Sequence, residues 1–161
     1  MLIVMEGIVM CFILLIFCVI GIANGTEKFT VFYEKDVQNR AIELGYTTKK
    51  EIKKQTIISI IVLYLPCFVL VPFMVCYING AKEFSDIFIQ SLLIMYIMGL
   101  FDRFFIDWYW VEHTKAWDIP NTDDLKPYIP KKMKIVKWLG TIVGFAIIAL
   151  IIALVSSIFN Y

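Results

Sequence analysis

The densest group of chemically active side chains lies in residues 102–113. On a helix, Arg103 and Asp107 stand four positions apart, which is the spacing of an ion pair. The run begins within an apolar stretch, 86–106, that is long enough to cross a bilayer. Ionisable groups at membrane depth are costly and usually face a cavity or a partner, so this run is the candidate polar site. Such groups could relay a proton, clamp an anion or bind a lipid headgroup. The candidate residues are Asp102, Arg103, Asp107, Glu112 and His113.

A structural interpretation of the same run stays open beside the functional one. Arg103 and Asp107 would then simply neutralise each other at the membrane boundary. The neighbouring aromatic residues would form the belt that tryptophan and tyrosine make at membrane interfaces. Those residues are Trp108, Tyr109, Trp110 and Trp117.

Helical periodicity predicts which residues share a face with Asp102. At 100° per residue, one polar face is expected, with Arg103 and Asp107 on an adjacent face. The predicted face consists of Ser91, Met95, Asp102, Tyr109 and His113. Asp102 and His113 lie eleven positions apart, so they cannot touch directly on one helix.

No metal or cofactor is predicted. His113 is the only histidine, which excludes a bis-histidine haem site within one chain. Glu112 cannot converge with His113 on one metal from the adjacent helix position. The four cysteines form no CxxC pair, and they are Cys11, Cys18, Cys67 and Cys76.

Four apolar stretches must position the polar run. Each reaches the length of about 20 residues that a helix needs to cross a bilayer, and 60% of all residues are apolar, with a mean hydropathy of +0.79. We therefore expect an all-α integral membrane protein, with four transmembrane helices in a bundle and one domain, 1–161. The spans are 2–22, 56–78, 86–106 and 135–159.

The positive charges predict the topology of the chain. Of the 15 lysine and arginine residues, seven lie within 24–55, seven within 103–137, and Lys82 stands alone between them. By the positive-inside rule, the connections 24–55 and 113–134 face the cytoplasm. A multi-pass protein with both termini outside is therefore expected. No basic tract interleaved with aromatic residues lies away from the membrane edges, so no nucleic-acid partner is expected.

The first connection is predicted to contain a short amphipathic cytoplasmic helix. An apolar stripe with helical spacing runs along it and ends before Gly45. Thr48 and Glu51 then have the spacing of a capping box, which predicts where the second membrane helix begins. The stripe residues are Phe29, Tyr33, Val37, Ala41 and Leu44.

Two prolines interrupt the second span. Pro66 and Pro72 each remove a backbone donor, so the helix is expected to bend or open there. Freed carbonyls could contact an ion or a substrate. The alternative is that neighbouring groups satisfy the backbone, as in many membrane helices.

Small residues in the fourth span predict a close helix contact. Gly140 and Gly144 form a GxxxG match, which Ala149 and Ala153 extend. We expect this contact within the bundle. The alternative is a contact between two chains, which would make the protein a homo-oligomer or the subunit of a membrane partner.

A basic edge precedes the fourth span. Lysines near a membrane surface attract anionic headgroups, so the lipid bilayer itself is the expected partner. The edge consists of Lys131, Lys132, Lys134 and Lys137.

The sequence leads us to expect a non-enzymatic membrane component or a subunit of a larger complex. Two alternatives remain: a small oligomeric transporter or channel that uses the polar cluster, and an enzyme at the lipid interface. Transport requires Asp102 to face a cavity near Pro66 or Pro72. Catalysis requires Asp102, Asp107, His113 and a loop carboxylate such as Asp118 to converge.

Overall fold

The computed structural model describes residues 1–159, and that part of the chain is helical without strands, with helix accounting for 77%. Four helices are long and apolar enough to cross a membrane, and they match the four predicted stretches. The last two residues of the predicted domain 1–161 lie outside the described part.

The helices are longer than the apolar stretches that predict them, and three of them contain wider, π-helical segments. The α-helices are α1 (Leu2–Ala23), α2 (Lys35–Glu43), α3 (Lys49–Pro72), α4 (Phe84–Phe101), α5 (Lys131–Leu139) and α6 (Phe145–Phe159). The π-helical segments follow α3 (Phe73–Ile78), follow α4 (Asp102–Val111) and join α5 to α6 (Gly140–Gly144), and a 3-10 turn covers Asp123–Leu125.

Helix α4 provides the centre of the packing, because it contacts α1, α3 and α6. Its Ile87, Ile94 and Met95 are fully buried. The approach of α1 to α4 is close at Gly7, where an added Cβ would come within 2.7 Å of Ile97. A glycine is therefore required at that crossing.

The outward faces of the long helices are apolar. Ile61 on α3 and Ile147 on α6 are about half exposed, and similar residues follow one another along α1, α3 and α6. Soluble proteins rarely expose apolar surface of this extent. The described part of the chain is therefore suited to an apolar environment.

The two polar connections pack against each other at one end of the long helices. Thr26 donates a hydrogen bond to the carbonyl of Asp118 (2.8 Å), and Arg40 pairs with Asp124 (3.0 Å). We call this layer, residues 24–48 and 112–130, the cap. At the opposite end, Asn79 donates hydrogen bonds to Glu6 and Gln90.

The amphipathic helix of the first connection is shorter than its stripe predicts. Val37 and Ala41 are buried on α2, but Phe29 and Tyr33 lie in the non-helical segment before it. The side chain of Gln38 explains the late start, because it donates to the carbonyls of Thr30 and Tyr33 and so holds a turn in place. One continuous helix over the whole stripe was therefore a wrong prediction.

The capping box at the start of α3 is confirmed. The backbone N–H of Glu51 donates to the Thr48 hydroxyl at 3.2 Å, and the Glu51 carboxylate accepts from the backbone N–H of Thr48 at 2.8 Å. Two backbone donors of the first turn are thereby satisfied.

The two prolines lie in different local structures. Pro66 sits inside the continuous α-helix, whereas Pro72 is its last residue and precedes the π-helical segment. The helix therefore widens after Pro72 rather than breaking at Pro66.

The predicted small-residue contact holds for only half of its members. Ala149 and Ala153 are fully buried. A Cβ added at Gly140 or Gly144 would meet nothing within 4 Å, so neither glycine packs closely on another part of the described chain. The expected internal contact at the GxxxG pair was wrong. The close approach at this level is made instead by Gly99 of α4, beside Thr141 and Phe145.

Candidate functional site

The candidate site lies in the π-helical continuation of α4, Asp102–Val111. A π-helix turns through fewer degrees per residue than an α-helix, because its hydrogen bonds span five residues. The face predicted from α-helical geometry is therefore not kept. Ser91 and Met95 are fully buried, whereas Tyr109 is 51% exposed.

Four charged side chains form what we call the charge cluster: Asp102, Arg103, Asp107 and Lys137. The guanidinium of Arg103 donates to Asp102 through one terminal nitrogen and to Asp107 through the other. Asp107 also accepts from Nζ of Lys137, on α5, at 2.6 Å. The predicted pairing of Arg103 with Asp107 is therefore present, inside a larger network. Its formal charges sum to zero.

The charge cluster is largely buried. Asp107 is 9% exposed, and the side chain of Arg103 is 10% exposed. Buried charges require partners, and each member of the cluster has at least one. Asp102 and Lys137 are more open, with 25% and 26% of their side chains exposed.

All four members of the charge cluster line a cavity of about 300 Å³. Its walls come from α1, α3, α4 and the segment from α5 to α6, and its floor comes from the cap. Most of the lining is apolar. Representative residues are Leu14, Leu63, Cys67, Met98 and Phe145, with Tyr33, Trp117 and Tyr128 on the cap side. The cavity therefore has a mostly apolar part and a polar end, and its lining includes Cys67, the residue that follows Pro66.

A second cavity, of about 360 Å³, lies beside the first. Arg103 and Asp107 line both cavities. The second cavity is further lined by Glu112, Lys134 and Trp138, among others. The ion pair between Arg103 and Asp107 is therefore common to the walls of both spaces.

The remaining two candidate residues form their hydrogen bonds and ion pairs outside the charge cluster. Glu112 pairs with Lys134 at 2.7 Å. His113 is exposed, and its Nδ1 lies 2.6 Å from the carbonyl of Trp108. Asp118 pairs with Lys126 in the cap. Asp102 and Asp107 share Arg103 as a partner, whereas His113 and Asp118 have partners of their own. The four groups that the enzyme interpretation needs therefore do not form one hydrogen-bonded set.

Trp117 does not belong to an outward-facing aromatic belt. It is 3% exposed and packs edge to face on Trp110, with 5.6 Å between the ring centres. Its carbonyl accepts a hydrogen bond from the Tyr33 hydroxyl at 2.5 Å. Trp108 and Tyr109, in contrast, are exposed as the belt prediction requires.

Sequence reasoning missed the role of Lys137. It was expected to contact headgroups with the rest of the basic edge, but Lys137 and Lys134 form ion pairs with the end of the third long helix. A signal existed, since Lys137 stands among the apolar residues Ile135, Val136 and Trp138. A lysine surrounded by apolar neighbours on a helix favours an internal partner.

Sequence reasoning also missed a polar group at the opposite end of the helices. Glu6 is 5% exposed, and its Oε2 accepts from the amide of Asn79 at 3.0 Å. The same amide donates to Gln90 at 2.9 Å. This group fixes the turn after α3 against α1 and α4. The signal was the lone carboxylate within the first apolar stretch.

Burial and local ion pairs shift the pKa of several cap residues. Burial, together with the nearby Tyr128 and Asp118, raises the pKa of Tyr33. Hydrogen bonds to Asp118 and Asp123 raise the pKa of Lys126. The same contact with Lys126 lowers the pKa of Asp123.

The described residues hold no group of three histidine, cysteine, aspartate or glutamate side chains that could bind a metal ion together. The four cysteines are free thiols. Comparison of the chain with protein-family models, with curated proteins and with solved structures found no match.

Proposed function

We propose that this chain is a multi-pass membrane component that binds an amphipathic membrane molecule in the cavity beside the charge cluster. It acts without catalysis, alone or as a subunit of a larger complex. The observation that carries the proposal is that one cavity is lined both by apolar residues and by the ion pair of Arg103 and Asp107. Ligand pockets typically have this character, with mostly apolar walls and a few polar groups that orient the ligand.

The proposal includes insertion of the four long helices in a membrane as a bundle. Support comes from their length and from the apolar faces that they turn outward. Exposed lysines at the cap end would contact anionic headgroups. They include Lys49, Lys50, Lys53, Lys54, Lys131 and Lys132.

The cap is proposed to face the cytoplasm, with the N terminus and the turn around Lys82 outside. Fourteen of the 15 basic residues belong to the cap end or to the helix ends that meet it. The positive-inside rule then gives the orientation. On this topology, the cavity opens near the inner leaflet.

Binding can be tested by native mass spectrometry of the protein in mild detergent with added membrane lipids. Gly140 lines the cavity, and a side chain added there meets nothing within 4 Å of its Cβ. Gly140→Phe should therefore obstruct the cavity, and its Cβ displaces no neighbouring atom.

Gly144→Phe provides the matched control. Gly144 has the same open surroundings on the same helix but does not line the cavity. We expect saturable one-to-one lipid binding to the natural chain and to Gly144→Phe, and loss of binding in Gly140→Phe. Equal binding by both variants would contradict the proposal.

Transport is the second candidate function, because Arg103 and Asp107 stand in the walls of two adjacent cavities. Rearrangement of that pair would join the cavities into a path. An oligomer reconstituted in liposomes would then carry a flux that Asp102→Asn abolishes while the helices stay folded. Binding without any flux would favour the first proposal.

A further inference from the structure

We infer that the ligand of the cavity is an uncharged lipophilic alcohol, whose hydroxyl group binds between Asp102 and Lys137. This inference rests on the proposed binding function and names the chemical class of the ligand. It follows from which hydrogen-bonding capacity of the charge cluster is used within the protein and which remains.

One carboxylate oxygen of Asp102 remains available as a hydrogen-bond acceptor. Its Oδ2 accepts from Arg103, whereas Oδ1 has no donor among the described residues. Asp102 lines the first cavity and not the second, and 25% of its side chain is exposed. The cavity therefore presents a carboxylate oxygen that can accept a hydrogen bond from a ligand.

The ammonium group of Lys137 has N–H donors that remain available for a ligand. An ammonium group carries three N–H donors, and the hydrogen bond that Lys137 makes through Nζ goes to Asp107. Its side chain is 26% exposed, and it lines the same cavity as Asp102. The cavity thus offers a donor as well as an acceptor at its polar end.

A hydroxyl group suits this pair, because one oxygen both donates and accepts hydrogen bonds. Charge excludes the obvious competitors. The charge cluster is already neutral, so an ionised fatty acid or a protonated alkyl amine would bring an unbalanced charge into a mostly apolar space, which is costly. Either molecule could bind in its neutral form only after a proton is added or removed, and that step has its own cost in free energy. An ether could accept from Lys137 but would leave Asp102 without a donor.

The size of the cavity fits the same ligand class. About 300 Å³ lies at the lower end of the range for ligand pockets. It accommodates a hydroxyl-bearing head and the first part of a chain. The remaining chain would extend between the helices toward lipid.

The test uses four probes with the same chain: hexadecan-1-ol, its methyl ether, hexadecylamine and palmitic acid. Each competes with a photoreactive long-chain alcohol for labelling of the natural protein. The alcohol should compete at about a tenfold lower mole fraction than the ether, because the alcohol can donate a hydrogen bond to the charged Asp102 and the ether cannot. Equal competition by the ether, or stronger competition by the amine or the acid, would overturn the inference.

The same experiment separates this inference from the proposed function. If no probe competes and labelling does not saturate, the alcohol is wrong, and saturable binding of membrane lipids that Gly140→Phe abolishes would still support the proposed function. If the acid or the amine competes best, cavity binding stands and the alcohol is wrong. Asp102→Asn adds a check on the site, because its preference for the alcohol over the ether should shrink while palmitic acid becomes a better competitor.

Discussion

The hydroxyl of Tyr33 donates a hydrogen bond of 2.5 Å to the backbone carbonyl of Trp117, across 84 residues of sequence. Both side chains are buried, and both line the cavity at its cap end. The contact fastens the first polar connection to the third and so forms the floor of the cavity. The cap is therefore part of the proposed binding site.

Tyr33→Phe should change how stability depends on pH. Because the folded pKa of Tyr33 is raised, its contribution to stability is fully present below the unfolded value of about 10 and is lost as the pH rises beyond it. The melting temperature in detergent, measured by circular dichroism from pH 8 to 11, should therefore fall less steeply with pH in the variant than in the natural chain. Tyr77→Phe is the control, because Tyr77 is 81% exposed and its loss should leave the natural slope.

Asp107→Asn should destabilise the fold strongly. Asp107 accepts from both Arg103 and Lys137, so the substitution leaves two largely buried cations with less compensation. A loss of about 3 to 5 kcal/mol in the free energy of unfolding is expected.

Glu112→Gln is the matched control for that substitution. Its partner Lys134 has a side chain that is 44% exposed, so the pair is partly screened. The loss should stay within about 1 kcal/mol. Similar losses in both variants, measured by chemical unfolding, would argue against a special role of the charge cluster in the fold.

Gly99→Ala and Gly144→Ala should have different effects on the stability of the fold. A Cβ at Gly99 would lie 2.6 Å from Cγ2 of Thr141, so overpacking should cost about 1 to 3 kcal/mol. A Cβ at Gly144 meets nothing within 4 Å, so alanine should be neutral or slightly stabilising through its helix propensity. Melting temperatures of the two variants check this, and a destabilised Gly144→Ala monomer would contradict the observed packing.

The proposed orientation can be tested with single cysteines in a chain whose four native cysteines are replaced. Lys82→Cys and Lys115→Cys lie at opposite ends of the long helices, and both positions are exposed. A membrane-impermeant thiol reagent applied from outside should label Lys82→Cys and spare Lys115→Cys. The reverse pattern would invert the topology.

Local signals in the sequence predicted local structure well. The apolar stretches gave all four long helices, and the pair of Thr48 and Glu51 gave the start of α3, because a capping box depends only on residues within one turn. Arg103 and Asp107 were likewise paired from their spacing alone.

Contacts between distant residues, and departures from α-helical geometry, were predicted less well. Nothing near Tyr33 identifies Trp117 as its partner, since their contact depends on how the two connections fold together. The π-helical segment that begins at Asp102 changes which side chains share a face of the helix. The pattern of residues does not predict this segment. Lys137 was assigned to headgroups because a lysine near a membrane boundary usually contacts them.

Photolabelling in lipid nanodiscs tests the account most directly. A lipid with a diazirine near the start of its chain is activated, and the labelled residues are located by peptide mass spectrometry. The account predicts saturable labelling of cavity residues such as Leu14, Leu63 and Met98, which Gly140→Phe prevents and Gly144→Phe does not. Labelling confined to outward-facing residues such as Ile61 and Ile147, unchanged by Gly140→Phe, would contradict it.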